Sequence, residues 1–144
     1  MKKSLILSAV AALALAALVV VAQAQKEKHL VYVSSAQANY KPLPQATGVS
    51  MHVLRGDPDK GSHATFTKFE PGYDAGTHIH TTDVSLVVIK GAYLYKDDAG
   101  EKRVGPGEYI SIPGGHKHWS GGDKTEGAVF YQEGPAKFDL IPAK

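Results

Sequence analysis

Four histidines, arranged as two pairs, are the residues of this chain best placed to do chemistry. His78 and His80 lie in GTHIHTTD, and His116 and His118 lie in PGGHKHW. The members of each pair are two apart. Alternate side chains of an extended strand point to the same face, so each pair can aim both imidazoles at one point. Imidazole nitrogens that converge in this way are ligands for a divalent transition-metal ion. Pro113, Gly114 and Gly115 have turn chemistry and would deliver the second pair from a bend. The chain has no cysteine. Any metal site must therefore use nitrogen and oxygen donors, and no disulfide framework supports the fold.

The elements that must position these residues read as strands. Val49 to Leu54, Ala64 to Phe69, Thr77 to Lys90, Ala92 to Tyr95, Glu108 to Ile112, Ala128 to Gln132 and Lys137 to Ile141 are rich in Val, Ile, Thr, Tyr or Phe. They are bounded by Gly, Pro and Asp, as short strands are. Leu30 to Val33 is a further short β-prone run, and Ser34 to Ala46, with Pro42 and Pro44, reads as an extended connection. Gly56 to Gly61 is a turn; it lacks the spacing and the following helix of a phosphate-binding loop. Beyond residue 24 no apolar period of 3.6 is sustained, so the expected class is all-β, a sandwich or a barrel. Residues 25–144 are enough for one core and too few for two.

The first two dozen residues have a different character. Lys2 and Lys3 precede an apolar run from Leu5 to Ala22 broken only by Ser8, and Ala22-Gln23-Ala24 is a small-x-small cleavage site. This pattern is that of a secretory signal peptide over residues 1–24, with an uncleaved membrane anchor as the alternative. The expected location is therefore secreted or periplasmic. The formal charge of +2 comes from 16 basic against 14 acidic residues, and Lys2 and Lys3 account for all of it. A neutral mature domain without a basic run gives no footing for nucleic acid, and after cleavage none for a membrane.

The two histidine segments together resemble the cupin superfamily. Gly72, five residues, His78-Ile79-His80 and then Gly91 match its first motif; Gly107, five residues, Pro113, Gly115 and His118 match its second. More narrowly, Leu54-Arg55-Gly56-Asp57-Pro58 ahead of His78, with Asp83 and Val87-Val88-Ile89 after it, is similar to a bacterial group of cupin-like domains. The resemblance implies a small double-stranded β-helix, a jelly-roll barrel. It also implies one divalent metal held by His78, His80 and His118, the ion being iron, manganese, nickel, copper or zinc. Cupins commonly add a Glu or Gln four or five positions after the second histidine, where this chain has Val84 and Ser85. Asp83 is the nearby carboxylate; on a regular strand it faces away from His80 and would ligate only through a bulge. The alternative is a three-histidine site completed by water.

The remaining candidates have plainer readings. His116, beside the glycine turn, is expected at the rim or as a hydrogen-bond partner to a ligand. His29, His52 and His63 have no partner at ligand spacing and read as ordinary surface or strand histidines. Trp119 should face away from His118, Tyr93 and Tyr95 should share a face, and Tyr73 and Asp74 read as an exposed turn. Two functions follow from such a site. One is a dioxygenase-type oxidoreductase acting on a small organic molecule; the other is a non-catalytic module that binds or senses a metal or small ligand. A metal-free barrel that pairs through its strand edges as a homodimer is the third.

Overall fold

The computed structural model describes residues 29–144; the expected signal peptide lies outside them. Within the compact unit from Tyr32 to Lys144 there are two antiparallel sheets and no helix. The strands are β1 (Lys41–Pro42), β2 (Val49–Gly56), β3 (His63–Phe69), β4 (Asp74–Ile79), β5 (Val84–Gly91), β6 (Tyr93–Asp97), β7 (Gly100–Val104), β8 (Tyr109–Ile112), β9 (His118–Gly122), β10 (Ala128–Gly134) and β11 (Ile141–Pro142). One sheet has the order β1-β2-β3-β10-β5-β8, the other β11-β4-β9-β6-β7. Neighbours in space are mostly distant in sequence, and the chain crosses repeatedly between the sheets, as expected for a jelly roll.

Period-two patterning places the core. On β5 Val84, Leu86 and Val88 are buried; on β10 Ala128, Phe130 and Gln132 are; on β3 the buried column is His63, Thr65, Thr67 and Phe69. Alternate residues of a strand share a face, so these columns line the interior. Tyr93, Tyr95 and Val104 meet them from the second sheet. Phe130 sits at the junction, its ring edge-on to Phe69 at 5.0 Å and to Tyr93 at 5.4 Å. Edge-to-face aromatic packing of this kind adds to the stabilisation from buried area.

Two strands run outside the segments expected to be strands. Gly100–Val104 carries Glu101, Lys102 and Arg103 and is exposed up to Val104. It is the edge strand of its sheet, where charge protects unpaired backbone from a second chain. His118–Gly122 pairs with β4 on one side and β6 on the other, its glycines lying inside a strand. The expected strand from Thr77 to Lys90 is instead two, β4 and β5, which lie in different sheets. A turn over residues 80–83 divides them. Gly91 ends β5 at a φ of +69°, and a Cβ there would lie 2.2 Å from the Gly127 carbonyl oxygen; only glycine fits. Leu30 to Val33 forms no strand, and of the expected strand from Lys137 to Ile141 only Ile141 is paired, as the first residue of β11.

Candidate metal centre

The break between β4 and β5 builds the site. His78 lies near the end of β4, and His80 follows just beyond it, still on the inward side. His118 opens β9, directly opposite His78 in register. All three are buried. The ring centroids of His78 and His118 are 4.3 Å apart, those of His78 and His80 4.9 Å, and those of His80 and His118 5.4 Å. One ligand nitrogen from each ring lies within 4.8 Å of the other two.

The backbone fixes which nitrogen each ring offers. Nδ1 of His78 is 2.9 Å from the Gly76 carbonyl oxygen, Nδ1 of His118 is 2.9 Å from that of His116, and Nδ1 of His80 is 2.5 Å from that of Asp139. A carbonyl oxygen only accepts, so each Nδ1 carries the proton and each Nε2 keeps a free lone pair. Nε2 of His118 is buried without a protein partner. Burial lowers the pKa of all three rings, with smaller effects from neighbouring histidines and opposition from the Nδ1 hydrogen bonds. Neutral imidazoles, oriented by their second nitrogen and converging through the first, are the form that ligates a divalent ion. The donor set fits the metal that the sequence implies.

The two histidine segments are clamped together by their turns. The Gly115 N–H donates to the His80 carbonyl at 2.8 Å, and the Gly114 N–H donates to Asp83 Oδ1 at 2.8 Å. A Cβ on Gly114 would lie 2.6 Å from the Thr81 carbonyl oxygen, so a side chain there would force the turns apart. Asp83 is not with the histidines. Its carboxylate is exposed, caps the glycine turn and lines a separate surface groove with Arg55 and Glu133. The bulge that would have turned it inward is absent because β4 has already ended at Ile79. Val84, at the position where a carboxylate ligand is common, is buried in the wall instead. The converging set among the described residues is His78, His80 and His118.

Residues from distant segments complete the surroundings. Asp139 holds His80 through its carbonyl, while its carboxylate accepts from the Thr81 N–H at 2.8 Å and from the Thr81 hydroxyl at 2.5 Å. The Phe138 ring lies 5.2 Å from that of His80. The His116 backbone carbonyl accepts from His118 Nδ1, while the His116 ring is turned outward, its Nε2 3.0 Å from Asp97 Oδ2. Asp97 also accepts from the Tyr95 hydroxyl at 2.7 Å; these two bonds, Tyr95 first, hold its pKa down to about 2. The Tyr95 ring stacks on His118 at 5.5 Å. Nothing in local spacing marks Phe138, Asp139 or Asp97.

Other expectations divide. Tyr93 and Tyr95 are both buried, facing inward together. Trp119 faces away from His118, its indole N–H donating to Asp74 Oδ1 at 2.6 Å. Asp74 is exposed, but Tyr73 is half-buried, packing on Phe69 at 4.5 Å and lining the cavity beside the histidines. Of the surface or strand alternatives, His63 is a strand histidine, buried on β3 with Nδ1 2.9 Å from the Gly61 carbonyl oxygen.

The histidine pKa values carry a pH signature. Unfolded histidine titrates near 6.5, and each of the three lies below that in the fold. As pH falls through that value the unfolded chain takes up protons that the folded chain refuses. The stability is present above about 6.5 and is lost as pH drops towards the folded values. Urea midpoints of metal-free protein should therefore fall between about pH 7 and about pH 5, and fall less in His78→Leu, which has one such group fewer.

Solved structures share this architecture. The polyketide cyclase RemF from Streptomyces resistomycificus superposes with a TM-score of 0.66 at 20% identity, over 81% of this chain and 87% of that one. A putative acetylacetone dioxygenase from Methylibium petroleiphilum gives 0.62 at 19% identity, over 81% and 84%. The complex of SigE with the anti-sigma ChrR from Rhodobacter sphaeroides gives 0.54 at 17% identity, over 69% of this chain and 49% of that one. At these identities the likeness is one of fold. No curated protein sequence matches the chain. Residues 28–137 match the ChrR Cupin-like domain family; with most of its length inside that match, the chain belongs to this family of cupins.

Proposed function

We propose that the chain is an exported mononuclear metal protein that acts as a dioxygenase-type oxidoreductase on a small organic molecule. The observation that carries this reading is the set of three buried imidazoles, each locked by a backbone carbonyl so that its free nitrogen meets the others. Three protein ligands leave positions open for exogenous groups, as a catalytic site needs. With Asp83 turned away and Val84 in the wall, the converging set among the described residues is three neutral imidazoles, with no carboxylate in it. Such a centre favours an anionic oxygen ligand. A first-row ion bound by His78, His80 and His118 would supply Lewis acidity and, for a redox-active ion, one-electron chemistry with dioxygen.

The chain's own residues do the rest. His78 and His80 line a cavity of about 540 Å³ whose wall includes Met51, Phe69, Val84 and Phe138. That volume suits a small organic molecule, with these apolar side chains available to its body and a few polar groups to its oxygens. Export rests on the Lys2 to Ala24 pattern. A binding or sensing module is the second reading, supported by membership of a family named for an anti-sigma protein. Dioxygen uptake by iron-, manganese-, nickel- and copper-loaded protein with catechols, diketones, flavonols and thiols separates the two. Uptake above that of His118→Ala with any substrate supports the oxidoreductase. No uptake across the panel, with metal bound, sinks it in favour of the binding module.

A further inference from the structure

The wall of the histidine-lined cavity carries one polar group that its fold does not explain. On β10 the inward column runs Ala128, Phe130, Gln132, so Gln132 occupies a core position that period-two patterning assigns to an apolar residue. It is 5% exposed, and its amide Nε2 is buried with no hydrogen-bond partner. Its polar neighbours are satisfied among themselves. Thr65, opposite Gln132 in register, bonds Thr67 hydroxyl to hydroxyl at 3.0 Å, and the Tyr93 hydroxyl is bonded to Ser120. Of the residues carrying a buried side-chain nitrogen or oxygen without a partner among the described residues, Gln132 is the one that lines this cavity. An amide left dry and unpaired in a core is costly, and a leucine of similar size would avoid the cost.

We infer that Gln132 positions the ligand of this cavity: its amide N–H donates to an oxygen of a small organic molecule bearing a carboxylate or carbonyl group on an apolar body. The inference rests on the cavity serving the histidine centre, as proposed above. Each part of the ligand class has a counterpart in the wall. The unpaired donor requires an acceptor oxygen. The neutral three-imidazole donor set, which leaves a bound dication's charge for its other ligands, favours that oxygen, or one conjugated with it, being anionic. Phe69, Val84, Phe138 and Leu140 around the same space require an apolar body. A site built to hydrogen-bond an oxygen also rejects the analogue that lacks one, because the donor is then left unpaired. Gln132 would thus set specificity without touching the metal.

The test uses three probes of one size, benzoate, acetophenone and toluene, titrated into metal-free and metal-loaded full-length protein. Wild type should bind benzoate or acetophenone and shift the side-chain amide resonances of Gln132. Gln132→Leu should weaken that binding about tenfold without weakening toluene. Gln132→Glu should weaken benzoate further than acetophenone, through like charge. Whichever oxygenated probe shows the larger loss in Gln132→Leu identifies the acceptor as carboxylate or carbonyl. Metal content of Gln132→Leu should equal wild type. Unchanged affinity for both oxygenated probes in a folded Gln132→Leu, or no binding of either to wild type, overturns the inference. So does loss of metal from that variant, which would make Gln132 a ligand. A wild type that takes no metal counts against the metal reading alone, because the metal-free titrations still decide the role of Gln132.

Discussion

Replacing His118 with alanine should abolish metal-dependent stabilisation while leaving the barrel folded. A ligand that binds the native state and not the unfolded one stabilises by RT ln(1 + [L]/Kd), about 2.7 kcal/mol at a hundredfold excess over Kd. For a domain of this size that is a rise of roughly 10 °C in melting temperature. His118 is the ligand to remove because its Nε2 is buried without a partner. The protein gains nothing from that nitrogen without an ion, so the metal-free variant loses little beyond ring packing. The expected result is a melting temperature that climbs with added zinc or manganese in wild type and stays flat in His118→Ala. An equal climb in both, measured by calorimetry on dialysed protein, would place the ion elsewhere. The same substitution at His116 should retain most of the rise, because that residue holds His118 through its backbone carbonyl, which alanine keeps.

The second large effect is on the core. Phe130→Ala should lower the free energy of unfolding by about 3–5 kcal/mol. Its side chain is fully buried and touches aromatic rings of both sheets. Alanine leaves a cavity that β-sheets, held by hydrogen bonds on each side, close only in part. β10 is paired on both edges, with β3 and β5, so its backbone has little freedom to move in. Urea denaturation should show the loss as a lower midpoint at unchanged slope. A loss below about 1 kcal/mol would mean that the site collapses around the alanine, contrary to the packing described.

Much of the site is legible in the sequence because strand periodicity is strictly local. His78 and His80, two apart, needed only an extended backbone to share a face, and the proline-glycine turn before His118 announced its own bend. The fold class followed from the same alternation. Asp83 shows where this reasoning stops. Parity with His80 holds only along one continuous strand from Thr77 to Lys90, and the chain instead turns at residues 80–83 and changes sheet. Thr81 and Thr82 are as β-prone as their neighbours; the turn is imposed by the backbone bond from Gly115 to His80, a contact no local window contains. The strand at Gly121 and Gly122 is hidden for the opposite reason. Glycine there marks close packing, a Cβ on Gly121 falling 2.6 Å from the Tyr73 carbonyl oxygen, and no local pattern separates that use of glycine from a turn. Asp139 and Gln132 belong to segments more than fifty residues from His80 in sequence, and only the closed barrel brings them to the same cavity.

Elemental analysis of the full-length protein after reconstitution and exhaustive dialysis tests the central claim most directly. The expected result is one first-row metal ion per chain in wild type, negligible metal in His78→Ala and His118→Ala, and a wild-type level in Asp83→Asn. Negligible metal in folded wild type, or equal metal in wild type and both histidine variants, would contradict a metal centre built from these three imidazoles.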